Sequence, residues 1–231
     1  MKAFVLAGGL GTRLKPRFGE LPKSLAPLGG RPFLLRQLEW LVAHGVRDAV
    51  ILAGYGADAL RETIGDGARM GLRVEWSIES EPLGTGGALA QARRLVDGPA
   101  LVVNGDTLAD CDPWHLEERR WRNGAWGAIA LYRVEDAASR GRVEVGEGGK
   151  VARFVEKDAT FRGPAWVNGG VYAFAPWLWR RLPDGAGSLE RDLLPALAAE
   201  GKLEGLELPG TFWDIGTPEE WARAEEHFAT R

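Results

Sequence analysis

Gly8, Gly9, Leu10, Gly11, Thr12 and Arg13 follow directly on a short apolar run at the start of the chain. Glycines after a strand let the main chain approach an anion closely and aim its N–H groups at it. The Thr12 hydroxyl and Arg13 guanidinium add directed donors, so the segment reads as a phosphate cradle. Two familiar phosphate loops are excluded. A dinucleotide fingerprint aligned on Gly9 and Gly11 needs a third glycine where Leu14 stands, and a Walker loop begun at Gly8 fails at Arg13. Further along, Lys23 lies between Pro22 and Pro27. It is either an ordinary surface lysine or a cation held over the same loop by proline-stiffened backbone.

The second chemical signal is acidic. Residues 101–103 read as a buried strand, and Asn104, Gly105 and Asp106 follow at its C-terminal end. In an open parallel sheet that edge collects ligands, because loops and helix N-termini converge there. Magnesium takes one or two carboxylates beside phosphate oxygens and water, so a second acid is expected, and Asp214 in Trp213-Asp214-Ile215-Gly216-Thr217 is the choice. Asp110 and Asp112 are rivals that read as turn and cap residues ahead of Pro113 and Trp114. Cys111 is the single cysteine, and His44, His115 and His227 are scattered, which excludes an internal disulfide and a cysteine or histidine zinc site. Cys111 reads as a small packed residue with no base nearby to activate it.

Elements able to position these groups are legible in the pattern. Apolar, β-branched runs at residues 3–6, 49–52, 74–78, 101–103 and 129–134 predict strands. Helical stretches at 32–43, 57–64, 86–95 and 114–121 separate them, an alternation that predicts a parallel sheet covered by helices. From residue 141 the pattern turns strand-rich, with runs at 142–145, 151–155 and 166–174 before helices at 189–199 and 218–228. Thr217, Pro218 and Glu220 fit the N-cap, first-turn proline and third-position acid of a capping box, which puts Asp214 at a strand-to-helix junction. The expected fold is an α/β, Rossmann-like three-layer sandwich with a mostly parallel mixed sheet and a strand-rich extension. With no low-complexity linker and no internal repeat, residues 1–231 are expected to form one domain.

Composition narrows the function classes. The 231 residues are 45% hydrophobic and 26% charged with net charge −3, which suits a globular protein and argues against a nucleic-acid coat. Within residues 1–38, however, seven Lys and Arg face Glu20 alone. A cationic segment on an otherwise acidic chain suggests a local anion site. No run approaches the ~18 apolar residues of a membrane span, and the first apolar run is shorter than a signal-peptide core, so the expected location is the cytoplasm, with no membrane or nucleic-acid partner. Of the ten tryptophans, Trp40, Trp76, Trp126 and Trp166 fall in segments read as core, and Trp114 and Trp121 share one helical face. Trp177 and Trp179 fit either a satellite core cluster or a contact in a homo-oligomer.

The string G-G-L-G-T-R-L-K-P followed by P-K-S-L-A-P resembles the signature of the nucleoside-diphosphate-sugar pyrophosphorylases, the sugar-phosphate nucleotidyltransferases. The likeness runs nearly the whole chain. It is nearest to the compact guanylyltransferases of heptose 1-phosphate and mannose 1-phosphate, through P-L-G-T-G, N-G-G-V-Y, S-L-E-R-D-L-L-P and D-I-G-T-P-E. The resemblance implies an NTP bound across the loop, a sugar 1-phosphate oxygen attacking the α-phosphorus, and departure of pyrophosphate with no covalent intermediate. By motif position Arg13 and Lys23 become catalytic, the first on the departing pyrophosphate and the second bridging the reacting phosphates. Asp106 and Asp214 become the Mg2+ carboxylates. Leu6, Gly8, Gly9, Gly11, Thr12, Arg13, Glu81, Gly84 and Thr85 become nucleotide contacts, and Gly141, Glu156, Lys157 and Asn168 contacts to the sugar phosphate.

Three departures from the family pattern stand out: Arg17 and Phe18 where a threonine often occurs, Asp158 in place of proline, and Arg140-Gly141 in place of Tyr-Gly. Arg140 either favours an extra anionic or longer sugar or faces solvent. Glu81 either accepts the two adjacent N–H donors of guanine, which favours GTP, or is a solvated loop acid. The alternatives are a uridylyl- or thymidylyltransferase acting on an amino-sugar or hexose 1-phosphate, and a catalytically silent subunit that senses nucleotide sugars.

Overall fold

The computed structural model describes residues 1–138, 140–155 and 158–229. Glu156 and Lys157, two of the expected sugar contacts, lie outside the described residues. The chain opens with β1 (Lys2–Leu6), a single helical turn α1 (Lys15–Phe18), and the short pair β2 (Pro27–Leu28) and β3 (Arg31–Pro32). Alternation then sets in: α2 (Phe33–Ala43), β4 (Asp48–Ala53), α3 (Ala57–Ile64), β5 (Arg73–Ile78), α4 (Gly84–Gln91) and β6 (Ala100–Asn104). After β7 (Thr107–Ala109), α5 (Pro113–Arg122) and β8 (Gly127–Val134) come β9 (Arg142–Val145), β10 (Val151–Val155) and the long β11 (Ala165–Phe174). The chain closes with α6 (Leu194–Ala199), β12 (Leu203–Leu208), β13 (Phe212–Asp214) and α7 (Pro218–Phe228).

Among the described residues nine strands form the main sheet in the order β10-β9-β11-β6-β1-β4-β5, with β8 along the other edge of β11 and β12 beyond it. Strands β6, β1, β4 and β5 are parallel, and β11 runs against them. Side chains alternate between two buried faces. Ala3, Val5, Ile51 and Val103 pack with Leu34, Leu38 and Leu41 of α2, Leu60 of α3 and Leu116 of α5. On the opposite face Phe4, Leu52 and Val102 meet Leu89 of α4, Leu197 of α6 and Trp179, whose ring centroid lies 4.6 Å from that of Phe4. Continuous apolar strands buried on both faces are what a helix-covered parallel sheet requires, and the three-layer α/β expectation holds.

Two features of the second half position the site. Strand β11 is a fork: Val167 pairs with Arg142 of β9, whereas residues 171–174 pair with β6, while β8 follows the other side. The register breaks between Asn168 and Tyr172, where Gly170 adopts φ +70°. A Cβ on Gly170 would come within 2.9 Å of the Thr107 hydroxyl, so the bend demands glycine. The second feature is the two-stranded ribbon of β7 and β13, in which Asp214 faces Thr107. The β13 half of this ribbon agrees with the strand-to-helix junction expected at Asp214, whereas β7 and β12 do not stand out in the sequence. In β12 the alternation is hidden by Glu204, which is buried because Arg119 and Asn123 both donate to its carboxylate. No helix among the described residues is long and apolar enough to cross a membrane.

Candidate active site

Lys23 begins a short 3-10 turn, Lys23–Leu25, entered through Pro22. Ser24 and Leu25 are buried beneath it, which leaves the lysine side chain directed across the cleft to an ion pair with Asp106 Oδ2. Gly11 explains how the glycine loop and this turn fit together. Its φ is +58°, and a Cβ there would sit 2.9 Å from the Cβ of Lys23. The loop is therefore built of glycine at this point so that the lysine can lie over it.

Asp106 stands just beyond β6. The turn that carries it is held from below by Gln37 of α2, whose side-chain amide donates to the main-chain oxygens of Asn104, at 2.8 Å, and Thr107. Gln37 is fully buried within the apolar stripe of α2, and that misplaced polar residue was the available sequence signal for a positioning role. The ribbon delivers the second acid. Ile215 N–H donates to the Asp106 carbonyl at 3.0 Å, and Gly216 N–H donates to Asp214 Oδ1 at 2.6 Å. Two carboxylates more than one hundred positions apart in the chain thus share one corner of the sheet edge.

Crowding of charge shows in the titration. The Asp214 carboxyl is pushed up to about 6, first by burial and then by the charges of Asp106 and Glu220, against the opposing pull of Lys23 and Arg140. Arg140 lines the larger of the two cavities at the site, but its charge is already engaged there. Its guanidinium pairs with Glu220 and lies 3.5 Å from Asp214 Oδ2. The same pairing changes the expected capping box: Thr217 Oγ1 accepts the Glu220 N–H at 3.2 Å, but the Glu220 carboxylate is turned to Arg140. Asp112 caps α5 by accepting the Trp114 N–H at 2.9 Å, so one rival acid is a helix cap. Among the described residues no group of three or more His, Cys, Asp or Glu gathers as a metal cluster. A pair of hard carboxylate ligands is what a magnesium ion shared with substrate phosphates needs from the protein.

The acid pair lies between two cavities. The smaller, about 320 Å3, is lined by Leu6, Gly8, Gly9, Gly84, Thr85 and Asp106, together with Glu79, which the sequence did not single out. Glu79 Oε2 accepts the Leu83 N–H at 2.9 Å, and Oε1 lies 2.7 Å from where a Gly8 Cβ would be. Burial raises its carboxyl above the ordinary range. Glu81, the acid chosen from sequence, is exposed and outside this lining, because the chain leaving β5 turns its side chain to solvent. Thr85 does line the cavity, but its hydroxyl donates to Glu190 and accepts the Leu189 N–H, both at 2.8 Å. Thr12 is exposed on the loop and outside both linings.

The larger cavity, about 550 Å3, is lined by Arg13, Arg140, Gly141, Arg142, Asn168 and Asp214 among others. Asn168 donates to the Tyr172 hydroxyl at 2.7 Å and accepts the Gly170 N–H at 2.8 Å, which holds its amide at the fork of β11. Asn104 and Glu190 line both cavities. Glu190 sits in a π-helical turn, Leu189–Leu193, a wider winding than the plain helix expected there.

Two cavities that share Asn104 and Glu190 border the acid pair at the C-terminal edge of the parallel strands, the edge where an open α/β sheet collects ligands. The particular family follows from comparison: the chain belongs to the nucleotidyl transferase family, whose pattern matches residues 2–231. It is 37% identical over 226 residues to the mannose-1-phosphate guanylyltransferase catalytic subunit beta of Danio rerio, covering 96% of this chain and 62% of that protein. The chain thus spans less than two thirds of the length of the curated relatives it matches. The crystal structure of HddC from Yersinia pseudotuberculosis superposes with a TM-score of 0.85 at 31% identity, covering 98% of this chain and 99% of that one. HddC complexed with GMP-PN gives 0.83 at 30% identity over the same shares. A putative glucose-1-phosphate thymidylyltransferase from Bacillus anthracis, 22% identical with a TM-score of 0.87 over 100% and 96% of the two chains, shares the fold.

Proposed function

We propose that this chain transfers a guanylyl group from GTP to a sugar 1-phosphate of the mannose or heptose type, releasing pyrophosphate. The observation that carries the reading is the meeting of Lys23, Asp106 and Asp214 between two cavities, with the Arg13 guanidinium beside Gly216. Glycine-loop N–H groups and Arg13 hold the triphosphate, Lys23 neutralises charge on the phosphates that exchange bonds, and a sugar-phosphate oxygen attacks the α-phosphorus in line. Residues 1–140 chiefly serve the nucleotide and 141–231 the sugar phosphate and second carboxylate, within one domain. Gly141 and Asn168 border the sugar ring, the assignment extending to Glu156 and Lys157 by sequence alone.

Family membership implies Mg2+-dependent chemistry, and Asp106 and Asp214 would hold the ion, which supplies charge neutralisation on the phosphates. The raised Asp214 carboxyl fits this assignment, since two facing acids favour a dication between them. Guanine is favoured over the other bases because Glu79 borders the smaller cavity with one oxygen free of main-chain partners, and a carboxylate accepts both guanine N1–H and the exocyclic amine. The GMP-PN complex of HddC agrees with that choice. The test is pyrophosphate release with Mg2+ from GTP, UTP, dTTP, CTP and ATP against a panel of sugar 1-phosphates. Release that is fastest with GTP and mannose or heptose 1-phosphate is expected. Binding of one pair without release would make the protein a sensor and overturn the proposal.

A further inference from the structure

We infer that Arg142 is a specificity-determining residue of the larger cavity, donating to an anionic oxygen group of the sugar phosphate. The inference rests on the proposed function for the identity of that ligand. Its own support is geometric. Arg142 opens β9, where it is locked by pairing to Val155 of β10 on one side and Val167 of β11 on the other. Its guanidinium lies 3.8 Å from the centroid of the Phe161 ring, a stacked position that fixes the plane of the donors.

What is missing is an acceptor. The residue is half-buried, its Nε is shielded from solvent without a hydrogen-bond partner, and no ion pair reaches it among the described residues. The carboxylates whose charges it feels are engaged elsewhere: Glu144 with Arg153, and Asp158 with the N–H and hydroxyl of Thr160. Within the cavity itself the acids are also taken. Asp214 and Glu220 face Arg140, and Glu190 accepts from Thr85 and Ser188. Holding a partly desolvated guanidinium without an acceptor is costly, and a pocket that does so is set up to receive one. Polar groups held in place ahead of the ligand also spend less entropy on binding it.

The anion is either the 1-phosphate itself or a second acidic substituent on the sugar. Steady-state kinetics of Arg142→Gln, with mannose 1-phosphate and a hexuronic acid 1-phosphate as probes, separate the two. Loss of a charge-assisted hydrogen bond should raise the KM of the sugar phosphate about tenfold to a hundredfold while the KM of GTP stays put. A rise for both sugars assigns Arg142 to the 1-phosphate, and a rise for the uronic acid alone assigns it to the second anion. Arg153→Gln, which removes an exposed arginine paired to Glu144 on the neighbouring strand, should change neither KM. Unchanged sugar KM values in Arg142→Gln, or a GTP KM that moves in step, would overturn the inference. Should the wild-type protein turn over no substrate at all, the proposed function fails and calorimetric titration of the two sugar phosphates decides Arg142 alone. Tighter binding by wild type than by Arg142→Gln then supports it, and equal or absent binding in both rejects it.

Discussion

The two cavities that meet at the acid pair are built from different materials. The smaller is bordered by main chain: Gly8, Gly9 and Gly84 lie on its wall, and its acid Glu79 is pinned by a main-chain N–H. The larger is bordered by side chains, with arginines 13, 140, 142 and 191 around a floor of strand residues. On the proposed function the glycine-built wall meets the phosphate chain, and Gly8 and Gly84 tolerate few substitutions because a Cβ would strike the Glu79 carboxylate and the Gly187 carbonyl. A wall of side chains on a forked strand can be exchanged residue by residue without disturbing the sheet. On the proposed function, the phosphate chain of the nucleotide meets mostly backbone and the sugar phosphate mostly side chains.

That contrast can be broken at several points. Lys23→Ala strikes the shared junction and should have the largest effect, a fall in turnover of about 10²–10³-fold or more with either substrate saturating, measured by pyrophosphate release. Gly11→Ala tests whether the seat of Lys23 depends on the absence of a side chain in the glycine loop. The new Cβ sits at a left-handed φ and against Lys23, so a loss of about 10²-fold in turnover is expected from misplacement of the lysine. Strain of about 1–2 kcal/mol should also lower the melting temperature by a few degrees.

A smaller effect separates the acid pair from the walls. Because the folded state holds a proton on Asp214 up to about pH 6, against an ordinary value of 3.8, the metal-free protein loses stability as pH rises from about 4 through 6. Asp214→Asn removes that penalty. In metal-free buffer at pH 7.5 it should be more stable than wild type by about 1–3 kcal/mol in urea unfolding, an advantage that vanishes below pH 4. Equal stability at both pH values would mean that burial and the neighbouring carboxylates together do not raise the Asp214 carboxyl. The smallest effect concerns Cys111, whose thiol burial pushes up to about 12. Alkylation by iodoacetamide at pH 8 should therefore be far slower in the native protein than after unfolding.

Several parts of this arrangement were legible without coordinates. The glycine run after β1, the proline-flanked Lys23, Asp106 at a strand end and the cap at Thr217 each announce themselves through local chemistry, since a turn, a cap or an anion loop needs particular residues at short spacing. Glu79 was missed and Glu81 preferred because the two are alike in type and loop context, and only the path of the chain out of β5 turns one inward. Gln37 was legible only as an oddity in an apolar stripe.

The amino-acid order by itself determined the three-layer fold, through hydrophobic period, and the glycine loop, in which Gly11 takes a left-handed φ that favours glycine. Tertiary structure alone decided that Asp214 meets Asp106, that Arg140 is spent on that acid and Glu220, and that Arg142 is left over. These are long-range pairings, set by the β7–β13 ribbon and the fork of β11. Local spacing carries no record of which distant charge a side chain will meet, because that distance is fixed only when the sheet closes.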